Sequence, residues 1–70
     1  MLIWKRTTYF GKSKHVAEVA YDKQSGGVSV VGVIHGPKGG AMLGTVGLTV
    51  GELDEIRNAI ATGMPVIKEG

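Results

Sequence analysis

The 70-residue chain predicts an α+β fold: a four-stranded antiparallel sheet, one C-terminal amphipathic helix, and pairing into a dimer. Three observations carry that prediction. The first forty-eight residues are short β-rich runs separated by glycine, lysine and serine. Residues 49–63 then carry helix start and stop signals in the right order. Finally, one helix can cover only one face of such a sheet, so the other face is left for solvent, a ligand or a partner.

The first strand is expected over residues 2–10, where Ile3, Trp4, Thr7, Thr8, Tyr9 and Phe10 are good strand formers. Gly11-Lys12-Ser13 forms a turn. A second strand over 15–21 alternates, with Ala17, Val19 and Tyr21 on one face and Val16, Glu18 and Ala20 on the other. Residues 22–27 make a hairpin loop, because Gly26-Gly27 accepts positive φ without a Cβ clash. The third strand, 28–35, is the most β-rich run and is expected at the centre of the sheet. After the loop Gly36-Pro37-Lys38-Gly39-Gly40, a fourth strand follows over 42–48. Gly44 and Gly47 mark a bulge or a close backbone approach within it.

The helix is expected over 50–62. Thr49 and Glu52 have the spacing of a capping box, and Leu48 and Leu53 that of the accompanying hydrophobic staple. Glu52, Asp54 and Glu55 put negative charge on the first turn, where the helix dipole favours it. Leu53, Ile56 and Ile60 form one apolar stripe for the core and for a dimer contact, with Ala59 beside it. Gly63 is placed as the C-cap, and Met64-Pro65 stops the helix.

Composition removes several chemistries. With no cysteine there is no disulfide scaffold, no thiolate nucleophile and no cysteine-ligated metal. A core this small gains most cheaply from oligomerisation, hence the expected dimer. Lys5-Arg6 follows the first four residues, so no secretory signal is expected, and no apolar run reaches the ~20 residues of a membrane helix. A cytoplasmic or nucleoid-associated protein is expected. Gly11-Lys12-Ser13 lacks the glycine that a phosphate-binding loop needs five residues earlier, where Arg6 stands. Gly36-Pro37-Lys38-Gly39 matches a GxxG clamp in spacing, but the glycines after it make a strand-connecting turn the better fit. His15 and His35 are the only imidazoles, and register decides whether they share a face. The acidic cluster is explained by helix capping, and no serine nucleophile sits beside a base. A non-catalytic protein without cofactor or metal is expected.

Charge is uneven. Residues 1–40 carry six basic and two acidic side chains, net +4, whereas residues 41–70 carry two and four, net −2. All four aromatics lie within the first twenty-one residues, interleaved with basic side chains. Single-stranded nucleic acid is bound in this way, with bases stacked on rings and cations along the backbone. Trp4, Lys5, Arg6, Tyr9, Lys12, Lys14 and Lys38 are the candidate contacts to single-stranded DNA or RNA. Trp4 and Phe10 could instead be core. In that case the uncovered sheet face or an edge strand would dock on another protein, as a small regulator or inhibitor does.

The run Gly47-Leu48-Thr49-Val50-Gly51-Glu52-Leu53-Asp54-Glu55-Ile56-Arg57-Asn58-Ala59-Ile60 resembles the C-terminal segment of positive-cofactor-four-like transcriptional coactivators. The four-strand, one-helix order and the basic turn Phe10-Gly11-Lys12-Ser13-Lys14 are similar as well. The resemblance implies a homodimer packed through its helices, with single-stranded DNA on curved sheets. It would put Trp4, Lys5, Arg6, Lys12 and Lys14 on the binding strands and their turn. Leu53, Ile56 and Ile60 would serve core and dimer. The family places a lysine before the glycine of the last strand, where this chain has Val46.

Overall fold

The computed structural model describes residues 1–70. Its elements are β1 (Leu2–Phe10), β2 (Ser13–Tyr21), β3 (Val28–His35), β4 (Ala41–Leu43), α1 (Val50–Thr62) and β5 (Val66–Glu69). The fold is α+β, with one helix on a mixed five-stranded sheet in the order β4-β3-β2-β1-β5. The first four strands pair antiparallel, whereas β5 lies parallel to β1, Trp4 opposite Val66.

The expected four-stranded sheet therefore gains a fifth strand after the helix. Val66-Ile67-Lys68-Glu69 is only four residues long and half charged, so it shows no apolar run of its own. Its place comes from the open edge of β1, which supplies the backbone partners. The expected fourth strand is also shortened, ending at Leu43 instead of residue 48. At Gly44 the chain leaves the sheet, the Gly44 N–H donating to the carbonyl of Gly32 at 2.9 Å. Residues 44–49 then cross the helix-side face as an irregular strap. Its passage depends on Gly32, where a Cβ would sit 2.5 Å from Val46 Cγ2 and 2.8 Å from the Gly44 carbonyl.

The β1–β2 turn is tighter than expected. Gly11 and Lys12 alone connect the strands, with Gly11 at φ 59° and no non-glycine residue at positive φ. Glycine first and a residue of negative φ second is the type II′ pattern, which matches the twist of paired strands. The following loop is closed by Asp22, whose carboxylate accepts from the Gln24 amide at 3.0 Å and the Ser25 hydroxyl at 3.1 Å.

The register of β1 slips between Leu2 and Trp4. This bulge lets two consecutive residues, Ile3 and Trp4, enter the same core, which strict alternation forbids. With Ala17 and Val19 of β2 and Ile56 and Ala59 of α1 they form the buried apolar cluster. Val46, Leu48, Ile60 and Val66 pack around it.

The capping box at Thr49 is formed. Its hydroxyl accepts from the Glu52 amide, and the Glu52 carboxylate accepts from the Thr49 amide, both at 3.0 Å. Gly63 closes the other end in the left-handed conformation at φ 74°. The expected stripe is rotated, however. Ile56 is buried and Ile60 partly so, but Leu53 is 52% exposed. The inward line is Glu52, Ile56 and Ala59, spaced by four and three residues, and Leu53 lies one residue off it.

Candidate functional site

Two groups of charged and aromatic side chains stand apart on this frame. The first lies beneath the helix. Trp4 is 0% exposed and its indole N–H donates to Glu55 Oε1 at 3.1 Å. Arg6 donates to both carboxylate oxygens of Glu52 at 2.9 Å and to the Gly47 carbonyl at 3.1 Å. Its guanidinium also lies 5.7 Å from the centre of the Trp4 ring. Lys68 of β5 reaches Glu55 at 3.1 Å and Glu52 at 3.9 Å.

These contacts set the protonation of both acids. The Thr49 amide holds the Glu52 carboxyl below its ordinary value against the opposing effect of burial, and Arg6 and Lys68 add to it. The Trp4 indole lowers Glu55, helped by Lys68 and opposed by partial desolvation and the charge of Glu52. The network ties strap, helix, β1 and β5 together. It also corrects the expectation for Trp4 and Arg6: no base can stack on a fully buried indole, and the guanidinium is already engaged. Lys5 lies on the opposite face, half-buried and across from Glu18.

The second group occupies the end of the sheet that holds the β1–β2 turn. Register assembles it. Tyr9, Lys14 and His35 are successive partners across β1, β2 and β3, so they form one row on the face away from the helix. Phe10 and Ser13 are paired on the helix-side face. Lys12 is in the turn itself, and Lys38 is in the loop that leaves His35. That loop is closed by a 2.8 Å bond from the Gly36 amide to the Gly40 carbonyl, with Gly39 at φ 87°. It connects two strands, as the glycines around it suggested.

Beside this loop Ile34, Gly36, Gly40, Ala41 and Met42 line a cleft of about 300 Å³. Phe10 is 63% exposed and Tyr9 55%. The ion pairs of the molecule engage Arg6, Arg57 and Lys68; of the five lysines left without an acidic partner, Lys12, Lys14 and Lys38 lie at this end and Lys5 and Lys23 elsewhere. One acid is near. Glu69 accepts from the Tyr9 hydroxyl at 3.0 Å, and this bond and the carboxylate charge raise the phenol above its usual range.

Of the seven contacts proposed from sequence, the fold thus gathers Tyr9, Lys12, Lys14 and Lys38 at one end and leaves Trp4, Lys5 and Arg6 elsewhere. It adds Phe10, His35 and the cleft. Phe10 is legible as part of the aromatic-basic run, but His35 joins only through a register that sequence does not supply. The same register puts His15 and His35 on opposite faces, because His15 pairs with Ile34 and His35 with Lys14. The two imidazoles cannot share an ion, and no cluster of three His, Asp or Glu side chains could hold one.

Fold and site together define a small α+β domain with a basic, aromatic end. Comparison with known proteins finds no matching family model, no matching curated protein and no matching solved structure. No helix is long and apolar enough to cross a membrane.

Proposed function

We propose that the hairpin end binds single-stranded nucleic acid without catalysing a reaction, in a cytoplasmic or nucleoid setting. Phe10 and Tyr9 supply stacking faces, and Lys12, Lys14 and Lys38 hold phosphates. The observation that supports this most is the convergence of three lysines without acidic partners and two exposed rings on one end of the sheet. The cleft beside Lys38 offers apolar walls of base size. Stacking tolerates any base, so selectivity for sequence is low and affinity is largely electrostatic.

The test is anisotropy of a labelled oligo-dT, and of its RNA counterpart, across a salt series. Three phosphate contacts on a single strand give a slope of log K against log salt of about −2. Replacing Lys12, Lys14 and Lys38 together by Glu abolishes binding, whereas Lys23→Glu at the far end of the sheet leaves most of it. A triple variant that binds as well as the parent overturns the reading.

One observation favours a second reading. The sheet face away from the helix exposes Val31, Leu43 and Ile67, and a protein partner could dock there. That complex would be nearly insensitive to salt, and oligo-dT would not be retained.

A further inference from the structure

The third strand is expected at the centre of the sheet, but most of it lies at an edge. β3 runs from Val28 to His35, whereas β4 pairs only with Val33, Ile34 and His35. Gly44 then bonds to the Gly32 carbonyl, and beyond that point the strap has left the plane of the sheet. Backbone groups alternate in direction along a strand. The Gly32 carbonyl points outward, so the N–H and C=O of Val30 and Val28 point outward too, with no strand beside them.

Edge strands of soluble proteins are usually blunted by lysine, proline, a bulge or a covering loop. Val28-Ser29-Val30-Val31 has none of these. The other edge of the sheet does: β5 is four residues long and carries Lys68 and Glu69. Exposed apolar side chains also concentrate on the unprotected side. Val28, Val30, Val31, Ile34, Met42 and Leu43 are six of the fourteen large hydrophobic residues that are exposed. Val28 and Val30 are 50% and 48% exposed and share the helix-side face.

We infer that this edge pairs with the same edge of a second copy, antiparallel, making one continuous sheet through β3 of both chains. The free groups are self-complementary. A two-fold axis beside Ser29 sets Val28 of each chain opposite Val30 of the other, and all the outward groups of both residues then find partners. The contact is isologous and closes on two chains, because the charged β5 edge does not offer the same surface. It buries Val28 and Val30 of both chains on the helix-side face and introduces no charge into the interface. A pairing three residues long, Val28 to Val30, is a small interface, so the dimer is weak and dependent on concentration. This interface differs from the helix-to-helix contact that the family resemblance implies. It also lies at the opposite end of β3 from the proposed nucleic-acid contacts, so either proposal can fail without the other.

The deciding experiment needs no variant. Sedimentation equilibrium and amide exchange are measured on the full chain from about 10 μM to about 1 mM, the range of weak association. The expected result is a molar mass rising toward twice that of the monomer, with the Val28 and Val30 amides slowing over the same range. A chain that stays monomeric throughout overturns the inference, as does a dimer in which those two amides exchange at the same rate at every concentration. The double variant Val28→Lys/Val30→Lys provides a second check. It is expected to keep the circular dichroism of the parent and lose the dimer, while Leu53→Lys on the exposed helix face keeps both.

Discussion

At the scale of single residues, Trp4 determines how the two halves of the sequence relate. Its ring fills the core between sheet and helix, and its indole N–H fixes the Glu55 carboxylate above. Trp4→Ala leaves a large cavity and is expected to cost roughly 3–5 kcal/mol, a large share of what a small domain has. Urea unfolding followed by circular dichroism measures it. The acids over this residue make a second prediction. Glu52 and Glu55 have folded-state values below the ordinary 4.5. Their contribution is therefore present in full above about pH 4.5 and is lost as pH falls through the depressed values. The urea midpoint should drop steeply on that acid limb, and Glu52→Gln should flatten the drop while lowering the midpoint at neutral pH.

At the scale of elements, local signals were legible wherever the stabilising contacts are themselves local. The helix matches its expected bounds because Thr49, Glu52 and Gly63 act within one turn of each end. Thr49→Ala removes the cap and should cost about 1 kcal/mol, read from thermal or urea unfolding. The first three strands also follow their expected runs, apart from the tighter turn. What could not be foreseen depends on distant partners. β5 exists because β1 offers it an edge, and β4 stops at Leu43 because Gly32, eleven residues back, accepts the strap. Gly32→Ala tests that account. Its methyl would meet both Val46 and a backbone carbonyl, so a loss of about 1–3 kcal/mol is expected. Amides of residues 44–48 should exchange faster in this variant. Gly11→Ala meets no neighbour and pays only for its positive φ, about 1–2 kcal/mol, with exchange in the strap unchanged.

At the scale of the whole molecule, the uneven charge seen in the sequence is sorted by the fold rather than preserved along it. Arg6, from the basic half, is neutralised by Glu52 from the acidic half, and Lys68 joins them. Three of the five lysines left without partners then stand at the hairpin end. The aromatic-basic run was legible as a candidate site, but its division was not. Trp4 and Phe10 fall on the same face of β1, yet Trp4 is buried beneath the helix while Phe10, with Tyr9 on the other face, stays exposed at the hairpin end. It follows that Trp4 emission should be blue-shifted and should not change when oligo-dT binds. Strong quenching of Trp4 by the oligonucleotide would mean that the ring is accessible, contrary to its place in the core.

The parallel pairing of β5 with β1 also sets an order on how the chain acquires its structure. Trp4 lies beside Val66, so that contact closes a loop spanning nearly the entire chain. The β1–β2 hairpin, joined by two residues, can form as soon as both strands have left the ribosome, since local pairings close fastest. Until Glu69 has followed, however, the outer edge of β1 has no strand beside it and Lys68 cannot reach the acids over Trp4. A nascent chain at that stage displays two bare edges instead of one. β5, the fifth of these strands in chain order, is thus the one that seals the first, and a chain lacking it would be exposed to aggregation on both sides.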